Sequence, residues 1–174
     1  MSEQAAGSPL DSPREFGHTG APMARLAEIL TQPEIRPQVV RACAVLIDAE
    51  VQCKSGFSGL AVKAGYKLVK AVKPTMIPEV VDKLLPEFAE AMQPMFVEVE
   101  QQASTGGRPR GELFSTHMQA DPRRVAAALL TVTDRRAEKA SGALKKTYAR
   151  LRDTAAEHVQ AAVPGLVRTL TPFL

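Results

Sequence analysis

Beyond residue 21, apolar residues return every three or four positions along almost the whole chain, and they nowhere sustain a one-on, one-off alternation. That spacing is the strongest constraint on the fold. A period near 3.6 lines one side of an α-helix, whereas a half-buried strand needs a period of two. Leu26, Ile29 and Leu30 make one such face over about residues 22–32. Val39, Val40, Cys43, Leu46, Ile47 and Val51 make a wide arc over about 37–54. Val125, Leu129 and Val132 repeat the pattern over about 122–138, and Tyr148, Ala155, Val159 and Ala162 over about 143–162. The expectation is an all-α protein, a compact bundle of six to eight helices without a sheet. The 37–54 helix is expected at the centre of the core.

Breakers divide these segments. Pro33 and Pro37 bracket a turn, and Ser55-Gly56 ends the next helix. Pro74, Pro78, Pro86 and Pro94 punctuate residues 74–102. Proline is tolerated in a first helical turn and disruptive inside, so short or kinked helices are expected there rather than one straight rod. Residues 103–111 read as a loop, and 112–120 as ambiguous between loop and a further helical turn. Asp121-Pro122 is a helix start, a capping acid followed by a proline at the first position. Ser141-Gly142 marks a turn, and Pro164 is expected to open a short terminal helix ending near residue 170. Residues 1–21, rich in Gly, Ser, Pro and Ala, are expected to be a disordered tail, which leaves 22–174 as a single helical domain.

Tryptophan is absent and aromatic residues are 5% of the chain, so the interior must be built from aliphatic side chains and methionine. No apolar stretch opens the chain, and no run of about 18 apolar residues exists to cross a membrane as a helix. A cytoplasmic protein is expected. Cys43 and Cys53 are ten positions apart in one helical segment. Their Cα atoms would lie roughly 15 Å apart on a straight helix, beyond disulfide reach. They are expected to be two small buried hydrophobes in a reducing cytosol.

Charge is unevenly spread. Residues 51–78 hold five lysines and no acid, and residues 79–100 hold six acids against one lysine. On a helix over 57–73, Ala61, Gly65, Leu68, Val69 and Val72 share one side. Lys63, Lys67 and Lys70 share the other, with Lys73 at its margin. Ala61 and Gly65 form a small-residue notch on the first side. A lysine-lined amphipathic helix suits an acidic partner or an anionic membrane surface, although only Phe57 and Tyr66 are bulky anchors. The bland alternative is a solvated face, partly neutralised by the acidic segment that follows.

Chemical motifs are missing. His18, His117 and His158 are isolated, and no CxxC, phosphate loop, GxGxxG, HExxH or GxSxG occurs. Glu87 and Glu90 share helical spacing, as surface pairs commonly do. Arg123-Arg124 and Arg135-Arg136 have acids beside them, at Asp121, Asp134 and Glu138. Nucleic acid is disfavoured, because single-strand binding wants stacking aromatics. No catalytic, cofactor-binding or metal residues are assigned. The leading expectation is a non-enzymatic interaction or scaffold module, self-associating or binding a protein partner through Lys63, Lys67, Lys70 and Lys73. The alternatives are peripheral binding to anionic membrane through the same lysines, and a helical carrier with a small-ligand pocket between helices.

Residues 54–67, Lys-Ser-Gly-Phe-Ser-Gly-Leu-Ala-Val-Lys-Ala-Gly-Tyr-Lys, continue through Lys73-Pro74 to Val80-Val-Asp-Lys-Leu-Leu-Pro-Glu-Phe88. Together with Val132-Thr-Asp-Arg-Arg-Ala and Tyr148-Ala-Arg-Leu-Arg, they resemble an uncharacterised family of small all-helical bacterial proteins. The resemblance spans roughly residues 22–172. It implies a bacterial source and one helical domain, and it brings no functional residues with it.

Overall fold

The computed structural model describes residues 24–174; the tail expected at 1–21 lies outside the described residues. The fold is all-α. The chain forms α1 (Leu26–Leu30), α2 (Arg36–Cys53), α3 (Gly56–Val72), α4 (Met76–Thr105), α5 (Arg110–Ala120), α6 (Pro122–Glu138) and α7 (Gly142–Leu170), then a 3-10 turn, Thr171–Phe173. No strand occurs among the described residues. Among them, too, no helix is long and apolar enough to cross a membrane.

The centre of the core belongs to α4, not to α2 as the width of its apolar arc suggests. Helices α1, α2, α5 and α6 all pack on α4. Its buried residues Leu85, Ala89, Met92, Phe96 and Val99 recur at steps of three and four, which makes one continuous stripe. Phe96 meets Phe114 of α5 edge to face, with ring centroids 6.3 Å apart and planes at 67°, a favoured aromatic geometry. In α2 only Val39, Val40 and Cys43 are buried, and Val45 is 63% exposed.

The expected division of residues 74–102 into short helices does not occur: α4 is one continuous helix with Pro86 and Pro94 inside it. Each internal proline removes one N–H and costs roughly 3 kcal/mol. Two features offset that cost. The buried stripe runs across both prolines, so interrupting the helix would expose it. At Pro86, the carbonyl that loses its helical donor is that of Asp82, four residues back, and Arg36 of α2 replaces the donor. Arg36 Nη2 donates to Asp82 O at 3.0 Å, while Arg36 Nε donates to Asp82 Oδ1 at 2.6 Å. The carbonyl freed by Pro94 is that of Glu90, an exposed residue open to water. Likewise, Pro164 lies inside α7 and opens no separate helix.

The ambiguous segment before residue 120 is a true helix, α5, whose Leu113, Phe114 and Met118 are buried. Asp121 caps α6 as its sequence predicts, Oδ1 accepting from Arg124 N at 3.0 Å. Short α1 is clasped by Gln93 of α4, whose Oε1 accepts from Leu26 N at 2.7 Å. Helices α2 and α7 approach closely at Gly165, where a β-carbon would stand 2.7 Å from Leu46 Cδ1.

Candidate functional site

The lysines of the α3 stripe are held unequally. Lys70 Nζ donates to both carboxylate oxygens of Asp48 in α2, at 3.0 and 3.2 Å. Tyr66 OH donates to Asp48 Oδ1 at 2.5 Å, and Lys70 Nζ sits 5.5 Å from the Tyr66 ring centre. Burial and the Asp48 carboxylate push the Tyr66 phenol up to about 12. The bonds from Tyr66 and Lys70 hold Asp48 below the usual carboxylate range. Lys73 lies just past the end of α3, and its Nζ donates to Glu79 Oε2 at 2.5 Å. Among the described residues, Lys63 and Lys67 have no ion-pair partner. Leu68, on the apolar side of α3, is 67% exposed, and Leu60 is 72% exposed. The reason is that α3 meets α2 through its Tyr66–Lys70 side, which turns the leucine edge outward. The notch expected at Ala61 and Gly65 lies outside the described residues.

Of the other acids of α4, Asp82, Glu87, Glu98 and Glu100 meet arginines rather than this stripe. Arg124 of α6 forks Glu98 at 2.9 and 2.6 Å, and His117 Nε2 lies 2.8 Å from Glu98 Oε2. Glu87 binds Arg135 and Arg136, and Arg110 Nε lies 2.6 Å from Glu100 Oε1. Arg123 apart, the arginine pairs that might have touched phosphate are thus occupied within the fold.

A different feature carries the capacity to bind. Between α2, α4 and α7, with Leu129 of α6 at its base, lies a cavity of about 240 Å³. Its walls are all apolar, among them Leu46, Ile47, Leu84, Phe88, Val159 and Ala162. A second cavity of about 230 Å³ shares Leu46, Ile47, Val159 and Ala162 with the first, so the two form one groove. Glu50 and Lys54 of α2, Val62 of α3 and His158 of α7 line its far end, where the surface open to the cavity is still almost wholly apolar. Lys54 Nζ stands 3.6 Å from Glu50 Oε2, and its side chain is only 18% exposed. His158 Nε2 is buried without a hydrogen-bond partner. Ligand sites are typically concave and predominantly apolar, and the groove shares that character.

Cys43 also lines the groove, but burial pushes its thiol up to about 11, so it stays protonated and unreactive at neutral pH. Among the described residues no group of three His, Cys, Asp or Glu is placed to hold a metal ion. Sequence reasoning missed the groove because the wide arc of α2 reads as core. The available signal was its excess: an arc spanning Val39 to Val51 is broader than one neighbouring helix covers.

Fold and groove together define an all-helical protein with an apolar groove among α2, α4 and α7. Residues 26–174 match the model of a family of unknown function, DUF6918, and the chain belongs to that family. No curated protein and no solved structure matches it.

Proposed function

We propose that this protein is a non-enzymatic carrier for an amphipathic small molecule whose apolar part lies in the α2–α4–α7 groove. The observation that supports this reading is a carbon-walled cavity reaching a cluster of Glu50, Lys54 and His158. Removing a flexible chain from water yields about 0.8 kcal/mol per methylene, enough for micromolar binding with several groups covered. The test is titration with N-phenyl-naphthylamine, a neutral dye that brightens in apolar surroundings. The parent protein is expected to bind it, and Ala162→Phe, which fills the groove, to weaken binding at least tenfold with an unchanged circular dichroism spectrum. Leu46→Phe is the second variant should the first not fold. Undiminished binding by a folded groove-filled variant would remove the carrier reading; a concentration-dependent dimer that shields the groove would assign that face to a second copy instead.

A second reading has its own support. Exposed Leu60 and Leu68 stand on α3 beside Lys63 and Lys67, an arrangement suited to an anionic membrane surface. Lys70 and Lys73 contribute less, being paired with Asp48 and Glu79. Each free lysine near an anionic surface is worth about 1 kcal/mol. Co-sedimentation with phosphatidylglycerol vesicles at low salt is expected, with loss on Leu60→Ser plus Leu68→Ser and on raising salt. The same four lysines as a docking stripe for a protein partner draw less support, because Lys70 and Lys73 already have carboxylates.

A further inference from the structure

We infer that the chain is an internal duplication, that the apolar groove is the junction of its two copies, and that the groove opens at the α2–α7 crossing. The duplication stands on its own; the mouth rests on the carrier reading and adds where a ligand enters.

The chain's two tyrosines reveal the repeat. Tyr66 OH donates to Asp48 of the preceding helix at 2.5 Å, and Lys70, four residues on, donates to the same carboxylate at 3.0 Å. Tyr148 OH donates to Asp134 of the preceding helix at 2.5 Å, and Arg152, four residues on, does so at 2.6 Å. Each aspartate lies seven residues before a Ser-Gly pair that opens the next helix, Ser55-Gly56 and Ser141-Gly142. Aligned on the aspartates, the buried Val39, Val40 and Cys43 of α2 fall on the buried Val125, Ala126 and Leu129 of α6. Aligned on Pro86 and Pro164, the buried Leu85, Ala89 and Met92 of α4 fall on the buried Val163, Val167 and Leu170 of α7. The first copy has four extra residues before its tyrosine and four after it. Each insertion is about one helical turn, so the faces stay in register. The crossings exchange as a two-fold relation requires: α2 packs on α7, and its counterpart α6 packs on α4. The groove wall is accordingly built in matched pairs, Cys43 with Leu129, Leu85 with Val163 and Phe88 with Leu166.

The copies differ where they cross. Glu87 corresponds to Gly165, Arg136 to Glu50 and Val132 to Leu46. Between α4 and α6, Arg136 binds Glu87 and also donates to Lys83 O at 3.4 Å, which bridges the two helices. Between α2 and α7, a β-carbon at Gly165 would stand 2.7 Å from Leu46 Cδ1 and 3.3 Å from Glu50 Oε1. Glu50 instead faces Lys54 of its own helix at 3.6 Å. The second cavity lies on this side, lined by Glu50, Lys54, Val62 and His158. Because the surface open to it is almost wholly apolar, a ligand enters by its apolar end and keeps its polar group in water.

The experiment rewrites the open crossing as the closed one in the full chain. Gly165→Glu alone should lower the melting temperature, and adding Leu46→Val and Glu50→Arg should restore most of the loss, because the other copy folds with that set. Gly165→Glu as stable as the parent would overturn the role given to the glycine. A triple variant no more stable than the single one, or unfolded, would overturn the equivalence of the two halves. The folded triple variant should bind N-phenyl-naphthylamine at least tenfold more weakly than Leu46→Val does. Equal binding by the two would overturn the mouth and leave the duplication standing. Failure of the parent to bind the dye would overturn the carrier reading, with the melting temperatures still deciding the duplication.

Discussion

Arg36 Nη2 donates to the backbone carbonyl of Asp82, the carbonyl that Pro86 deprives of its helical partner. The guanidinium thus stands in for a missing peptide N–H, from a helix 46 residues earlier in the chain. If this is what allows α4 to pass through Pro86, the value of Arg36 depends on the proline. Arg36→Met should destabilise the parent more than it destabilises Pro86→Ala, where an alanine N–H reaches Asp82 again. The difference should be about 1 kcal/mol, the low end for an unsatisfied carbonyl because the pair is partly exposed. Urea unfolding of the four proteins closes the cycle; equal losses in both backgrounds would show that the carbonyl needs no surrogate.

Glu98 gives the fold an acid-sensitive tie. The fork from Arg124, helped by His117, holds its carboxyl at about 2, against a partial desolvation that acts the other way. A carboxyl lowered in the folded state contributes fully above its unfolded value of about 4.5 and loses that contribution as pH falls toward 2. The stability gap between the parent and Glu98→Gln should therefore be constant near neutrality and close as pH drops through that window. Chemical denaturation at a series of pH values measures it, and a gap that persists at pH 2 would contradict the assignment.

The two cysteines should separate cleanly by reactivity. Cys43 is buried as expected, with its thiol raised to about 11, but Cys53, at the last turn of α2, is exposed rather than buried. Ellman's reagent should count one fast thiol in the native protein and two after unfolding. Two fast thiols in the native state would mean that solvent reaches the groove wall at Cys43.

What the sequence made legible was local. The period of Val125, Leu129 and Val132 located α6, and Asp121-Pro122 set its first residue, because cap and apolar face lie within a few positions of one another. Continuity through Pro86 was illegible for the opposite reason: the compensating donor, Arg36, belongs to another helix, and no spacing rule links the two. The centrality of α4 was hidden in the same way, since its prolines argued against the long stripe from Leu85 to Val99. At the candidate site, the lysines of α3 were visible as a pattern, but Asp48 and Glu79, which occupy two of them, come from outside that helix. Glu50, Lys54 and His158 were unremarkable in sequence, for they converge only when α2 and α7 close together at Gly165.

The chain has no tryptophan and two tyrosines, and each phenol is hydrogen-bonded to a carboxylate on a neighbouring helix. Tyr66 ties α3 to Asp48 of α2, and Tyr148 ties α7 to Asp134 of α6. The near-ultraviolet signal of this protein is therefore divided between two seams, one beside the mouth of the groove and one remote from it. Replacing Tyr148 by phenylalanine would leave a single chromophore, and its intensity would follow the departure of α3 without any attached label.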